Sequence, residues 1–93
     1  MSLFKIDSKG SVEHDFKRID RQYIQKILDS IKSLSKDPFP VQSIKLKNSM
    51  SFHRMRVGKY RVIYQVDIES KVITIYHVRH RKDAYKRLDF SDR

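Results

Sequence analysis

Apolar residues recur through the first third of the chain at Tyr23, Ile24, Ile27, Leu28, Ile31 and Leu34, the three- and four-residue steps of one helix face. This is the strongest periodic signal in the sequence. Val12, Phe16 and Ile19 repeat the spacing more briefly and predict a shorter helix, with Ser11 as its N-cap and Asp20 marking the break and capping the second helix. The second helix should end near Ser35 or Lys36, because Pro38 restricts Asp37 away from helical geometry and Pro40 prolongs the interruption. Ahead of the helices, Leu3 to Ile6 predict a short strand. Phe39 to Met50 read as a connector with a short extended piece at Ile44 to Leu46. From Ser51 to Val66 the period changes to two, and Val72 to Val78 are apolar on both alternations, as a central strand would be. From Arg79 the pattern turns basic, RHRKDAYKRL, and leaves the sheet as a tail or short helix. The expected fold is α+β: one domain over residues 1–93, with a small, mainly antiparallel four-stranded sheet. A helical hairpin packs on one face, and a short basic C-terminal tail or helix comes last.

The two-residue period of SFHRMRVGKYRVIYQV is broken only at Gly58-Lys59, and Gly at the first of two loop positions suits a type II′ hairpin. Such a loop sets Val57 opposite Tyr60, Arg56 opposite Arg61, Met55 opposite Val62 and Arg54 opposite Ile63. One face then collects Met55, Val57, Tyr60, Val62 and Tyr64; the other collects Arg54, Arg56 and Arg61. Like charges directly opposite across a strand pair are destabilising, by about 0.2–1 kcal/mol. An anionic partner for this patch is therefore expected, against the plain alternative of a solvated face with its arginines splayed apart.

Charge strengthens that expectation. Lys and Arg number 21 against 11 Asp and Glu, a net charge of +10, and no acidic residue falls between Asp37 and Asp67, where Lys45, Lys47, Arg54, Arg56, Lys59 and Arg61 all lie. A balance this basic calls for nucleic acid, an acidic protein or an anionic surface. The absence of cysteine excludes disulfides and thiolate chemistry. No apolar run reaches membrane-spanning length and no signal peptide is visible, so a soluble cytoplasmic protein without a membrane role is expected. Neither a metal nor another cofactor is expected, because the patch lacks acids and the histidines do not cluster with carboxylates at ligand spacing.

The order strand, helix, helix, basic loop, hairpin, apolar strand and basic tail resembles the RelE branch of the RelE/ParE toxin superfamily, from about Leu3 to Leu88. The more specific elements are Lys45-Leu46-Lys47, then Arg54-x-Arg56-Val57-Gly58-x-Tyr60-Arg61, then His80-Arg81-x-x-x-Tyr85. The resemblance implies a toxin of a type II toxin–antitoxin system: an mRNA interferase, a ribosome-dependent endoribonuclease that inhibits translation and is neutralised by a cognate antitoxin. Its partners would be mRNA in the ribosomal decoding site and ribosomal RNA. The implied cut is a metal-independent transesterification, in which the ribose 2′-OH attacks the neighbouring phosphate and leaves a 2′,3′-cyclic phosphate and a 5′-OH. Such a step needs the 2′-OH deprotonated, charge on the phosphorane stabilised and the leaving oxygen protonated.

Carried over by position, Arg61 and Arg56 would neutralise the scissile phosphate and Arg54 would assist. Arg81 would act as phosphate ligand or proton donor, and Tyr85 would stack on a base, or else close the core by packing the tail on the sheet. Lys45, Lys47, Lys59 and Lys82 would contact RNA. Family members often carry lysine where this chain has Arg54 and Arg56, and arginine stays protonated where lysine can be tuned to act as a base. His80 and His77 are the candidate general acid or base in its place, against roles in the tail and in packing respectively. Tyr60, Tyr64, His14 and His53 are expected to be structural. Two other functions fit the same residues: a ParE-like toxin that inhibits a topoisomerase, and a non-catalytic basic nucleic-acid-binding domain.

Overall fold

The helical stripe and the hairpin meet as the two halves of one core in a computed structural model that describes residues 3–46 and 52–83. In chain order the elements are β1 (Lys5–Ser8), α1 (Gly10–Lys17), α2 (Arg21–Ser33), β2 (Ser43–Lys45), β3 (Phe52–Val57), β4 (Tyr60–Asp67) and β5 (Val72–His80). They form one sheet of order β1-β5-β4-β3-β2, in which β1 runs parallel to β5 and the other neighbours are antiparallel.

Five strands in a mixed sheet replace the four expected in a mainly antiparallel one. The added strand is β2, which lies along β3 with Ile44 opposite Arg54 and Lys45 opposite His53. Three residues carry little strand signal by themselves; β3 supplies the rest, through Leu46 N–H to Phe52 O at 3.0 Å and Arg56 N–H to Gln42 O at 3.2 Å. At the other end, Arg79 and His80 belong to β5 rather than to a departing tail, and Arg81 N–H still reaches Lys59 O at 2.7 Å. The expected tail or helix beyond residue 83 lies outside the described residues.

Ser11 does not cap α1. The N-cap is Lys9, and Ser11 instead donates its hydroxyl to Tyr76 O on β5. The reason lies in sheet topology: β1 ends opposite Ile75, so the outer edge of β5 beyond it needs other hydrogen-bond partners. The turn into α1 and the helix itself supply them, with Lys9 N–H donating to Ile75 O at 2.9 Å and Asp15 Oδ2 accepting from Val78 N–H at 2.9 Å. Asp20 is the N-cap of α2 as expected, although its carboxylate accepts from the Gln22 side chain rather than from the backbone. The first strand begins two residues later than its apolar run, because its register is set by Val72–Ile75.

On one face of the sheet, Met55, Val57, Tyr60, Val62 and Tyr64 pack with Val12 and Ile19 of the α1 segment and Ile27, Ile31 and Leu34 of the α2 segment. Both helical segments therefore fill that face. The hairpin has the expected register over Gly58-Lys59, and among the described loop residues positive φ falls on Gly58, at 58°, and not on Lys59. A Cβ at Gly58 would meet nothing within 4 Å, so Gly58→Ala should cost only the left-handed backbone penalty, about 1–2 kcal/mol. Thermal unfolding should show a drop of roughly 4–16 °C for a domain of this size. An unchanged midpoint would mean that the turn does not need the left-handed residue.

Candidate functional site

The hairpin places Arg54, Arg56 and Arg61 on the face away from the helices. Arg56 stands directly opposite Arg61, and Arg54 opposite Ile63. Next to them on the same side are Phe52, Ile63 and Tyr76, a second buried apolar cluster that Leu46 also joins, with the Phe52 and Tyr76 rings edge to face at 4.9 Å. The arginines thus rise from an apolar floor, a setting in which charge is less well screened than in open water.

A register shift in β5 builds that floor. Ile75 lies opposite Tyr64 and Val78 opposite Val62, both on the helix side, while only Ile63 separates the two partners on β4. Tyr76 and His77 occupy the interval together, and both fall on the arginine side, as the extra residue of a bulge allows. The shift also sets the facing of the strand's last residues: Arg79 stands opposite Arg61 and His80 opposite Tyr60. Arg56, Arg61 and Arg79 therefore form one line across three adjacent strands.

The electrostatics agree with this geometry. Burial, then the positive charges of Arg54, Arg56 and Arg81, push the Arg61 guanidinium below its ordinary value, so the charge of Arg81 reaches Arg61 as those of the hairpin arginines do. Arg61 keeps its proton all the same, and its Nη1 donates to Gly58 O at 3.1 Å and Tyr60 O at 3.0 Å, at the turn end of the hairpin. What the cluster can do chemically is bind and stabilise a compact anion; guanidinium groups do not remove protons at working pH.

The other candidates are scattered. His77 is on the arginine side but only 6 % exposed, with Nδ1 within 3.4 Å of both Asp15 Oδ2 and Arg79 Nη2. His80 is on the helix side, its ring 5.7 Å from that of Tyr60 and its Nδ1 accepting from Lys82 N–H at 3.2 Å. It lines a cleft of about 500 Å³ with Asp15, Arg18, Arg79 and Asp83, where two carboxylates stand among the basic groups and disfavour a phosphate. Lys45 shares the side of His53, which stacks on Tyr64, and so points away from the arginines. Lys59 turns towards the helices, its Nζ 6.0 Å from the Tyr23 ring centre. Lys82 is exposed in the turn after β5. Lys47 and Tyr85 lie outside the described residues. Tyr60 and Tyr64 are buried in the core, and His53 packs between Phe39 and Tyr64.

Two residues on or beside this face escape a reading of the sequence alone. Arg79 reads there as part of a departing tail; the signal for it is the alternation Arg79-x-Arg81, which places both side chains on one face if the strand continues. Asp15 gives no signal at all, since its role depends on meeting the edge of β5.

A protein-family model described as ParE toxin of type II toxin–antitoxin system, parDE, matches residues 6–85. The protein named "Putative toxin RelE1" of Methanocaldococcus jannaschii is 30 % identical over 86 residues, covering 89 % of this chain and 96 % of its own. Among solved structures, RelE in the archaeal RelE–RelB complex of Pyrococcus horikoshii superposes with a TM-score of 0.76 at 26 % identity, over 88 % of this chain and 99 % of that one. A chain of the RelBE2 toxin–antitoxin complex of Mycobacterium tuberculosis shares the fold with a TM-score of 0.75 at 20 % identity, over 85 % and 99 %. With the family model spanning most of the sequence and the arginine hairpin at its centre, this chain belongs to the RelE/ParE superfamily of type II toxin–antitoxin toxins, on its RelE branch.

Proposed function

We propose that this chain is an mRNA interferase, a ribosome-dependent endoribonuclease of the cytoplasm that cleaves mRNA in the decoding site and is neutralised by a cognate antitoxin. The observation that carries this reading is the placing of Arg54, Arg56 and Arg61 together on the helix-free face, with Arg81 near enough for its charge to be felt at Arg61. A 2′-OH attacking the adjacent phosphate builds negative charge on the phosphorane oxygens, and preset guanidinium donors are suited to that charge. Arg56 and Arg61 stand directly opposite each other across the hairpin and take the scissile phosphate; Arg54 and Arg81 flank it. The arginines keep their own protons and do not take that of the 2′-OH. His77 lies beneath the arginines, and His80 on the far face of the sheet, so neither stands beside the phosphate in this arrangement. Basic side chains elsewhere, Lys45, Lys59 and Lys82 among them, face ribosomal RNA rather than the scissile bond. RelE crystallises with RelB in the P. horikoshii relative, which supports an antitoxin as the regulating partner here.

A second reading, a ParE-like toxin acting on a topoisomerase, is favoured by the parDE description of the matching family model. One experiment separates the two. Expressed under tight control, the wild-type chain should arrest growth and leave codon-phased transcript 5′ ends carrying hydroxyl groups, and both should vanish in an Arg61→Ala, Arg81→Ala double variant. Growth arrest with DNA damage and intact transcripts would replace the interferase with the topoisomerase reading.

A further inference from the structure

We infer, building on the RNA-directed function proposed above, that the cleft between the end of α1 and the end of β5 is a nucleobase pocket that takes one unpaired guanine of an RNA. The cleft holds about 500 Å³, within the roughly 300–1,000 Å³ of small-ligand pockets. Its floor is apolar, with Ile19, Tyr60 and Val78 all buried. The rings of Tyr60 and His80 lie 5.7 Å apart with their planes at 80°, so a flat ligand finds ring surfaces in two nearly perpendicular planes. Around the rim, Asp15 and Asp83 stand against Arg18 and Arg79. Charges in that balance favour neither an anion nor a cation and suit an uncharged polar ligand. Arg79 and Asp83 have partners within the chain and contribute to the balance alone.

Asp15 and Arg18 choose among the bases. They stand three residues apart at the end of α1, a spacing that sets side chains on one face with Cβ atoms about 5–6 Å apart. The turn between them is fixed, because Arg18 N–H donates to Asp15 O at 3.0 Å. Asp15 Oδ2 accepts from Val78 N–H at 2.9 Å and lies 3.4 Å from His77 Nδ1, so the carboxylate is held to β5; with about four acceptor sites on two oxygens, it can accept again. Arg18 is exposed on the same rim. A carboxylate takes the N1–H and N2–H donors of guanine, and a guanidinium fork takes its O6 and N7 acceptors. Guanine alone among the four bases offers both edges: adenine lacks the carbonyl, and cytosine and uracil lack N7. Proteins that hold an extruded base read it in this manner, by its edge and against ring or apolar surfaces. The route to the pocket follows from the sheet. Tyr60, Val78 and His80 are on the helix side and Arg79 on the arginine side, while β1 covers β5 only as far as Ile75, so the cleft lies at the last residues of β5, where the two sides meet. RNA on the arginine face can turn one unpaired base over this edge and leave its phosphate outside.

Nucleosides without phosphate separate the base from the basic surface. Guanosine titrated into the full chain should give saturable NMR shifts at Ile19, Val78 and His80, with adenosine, cytidine and uridine at least about tenfold weaker. Inosine, which lacks the N2 amine, and 7-deazaguanosine, which lacks N7, should each bind about tenfold more weakly than guanosine, the size of one hydrogen bond to a charged group. Arg18→Gln should cut the 7-deaza penalty below about twofold and keep the inosine penalty; Asp15→Asn should do the reverse. Far-UV dichroism of each variant confirms that it is folded. A 2′-O-methyl RNA hairpin with one guanine in its loop should bind about tenfold more tightly than its uracil counterpart. Equal affinity of the two hairpins, with guanosine still bound, would overturn RNA as the source of the base and give the pocket to the free nucleoside. Equal binding of all four nucleosides, or none by guanosine, overturns the pocket, as do shifts in the cleft with N-acetylarginine amide alone, which would make it a seat for a partner protein. The interferase reading is decided separately, by transcript cleavage, and a failed pocket leaves it in place.

Discussion

Arg61→Ala is expected to lower mRNA cleavage on programmed ribosomes by about a hundred- to a thousandfold, the usual loss when a preset donor to a developing oxyanion is removed. Stability should move in the other direction or hardly at all. Arg61 faces Arg56 on one side and Arg79 on the other, and relieving a like-charge cross-strand contact returns about 0.2–1 kcal/mol. Against this stands the loss of two hydrogen bonds to Gly58 O and Tyr60 O, made at the rim of the sheet where water replaces them readily. The unfolding midpoint should therefore stay within a few degrees of wild type. Activity and stability measured on the same preparation decide the matter: a fall in both together would mean that Arg61 holds the hairpin rather than a phosphate. Arg56→Ala, which removes the other half of the pair, should show the same split between the two measurements.

That split is legible in the sequence because the hairpin reports its own geometry. A Gly in a two-residue loop fixes the register, and alternation then sorts every side chain to a face without knowledge of any other element. The helical stripe is equally plain, since Ile27, Ile31 and Leu34 need only their own spacing to define a buried side. What stays hidden depends on contacts between distant segments. β2 is three residues long and exists because β3 offers it an edge. The register of β5 turns on one extra residue between Ile75 and Val78, which no local pattern marks, and the placement of His77, His80 and Arg79 depends on it. Ser11 is a good N-cap by type, but its hydroxyl is drawn to Tyr76 O because β1 stops short of covering β5. Local preference loses to a backbone group that has to be satisfied.

The opposite separation of stability from chemistry is expected on the other side of the sheet. Ile27 is fully buried at the centre of α2 and lies in one apolar cluster with Met55, Val62 and Tyr64. Truncating such a side chain removes its transfer free energy and leaves a cavity that neighbours fill only in part, a loss of about 2–5 kcal/mol for Ile→Ala. A small domain holds about 5–15 kcal/mol in all, so Ile27→Ala takes a large share of it, and the midpoint should fall by on the order of 10–30 °C. Ile24→Ala, at a partly buried position on the same helix, should cost clearly less. Where Ile27→Ala remains folded, its arginine face is untouched: Arg54, Arg56 and Arg61 project from the other side of β3 and β4, over a floor of Phe52, Ile63 and Tyr76 that contains no residue of α2. Cleavage assayed well below the lowered midpoint should then stay within about threefold of wild type, since distant sites with no shared partners act independently. A shift of less than about 4 °C would show that α2 is not docked through Ile27, while normal stability with lost cleavage would place the working surface under the helices instead of across the sheet from them.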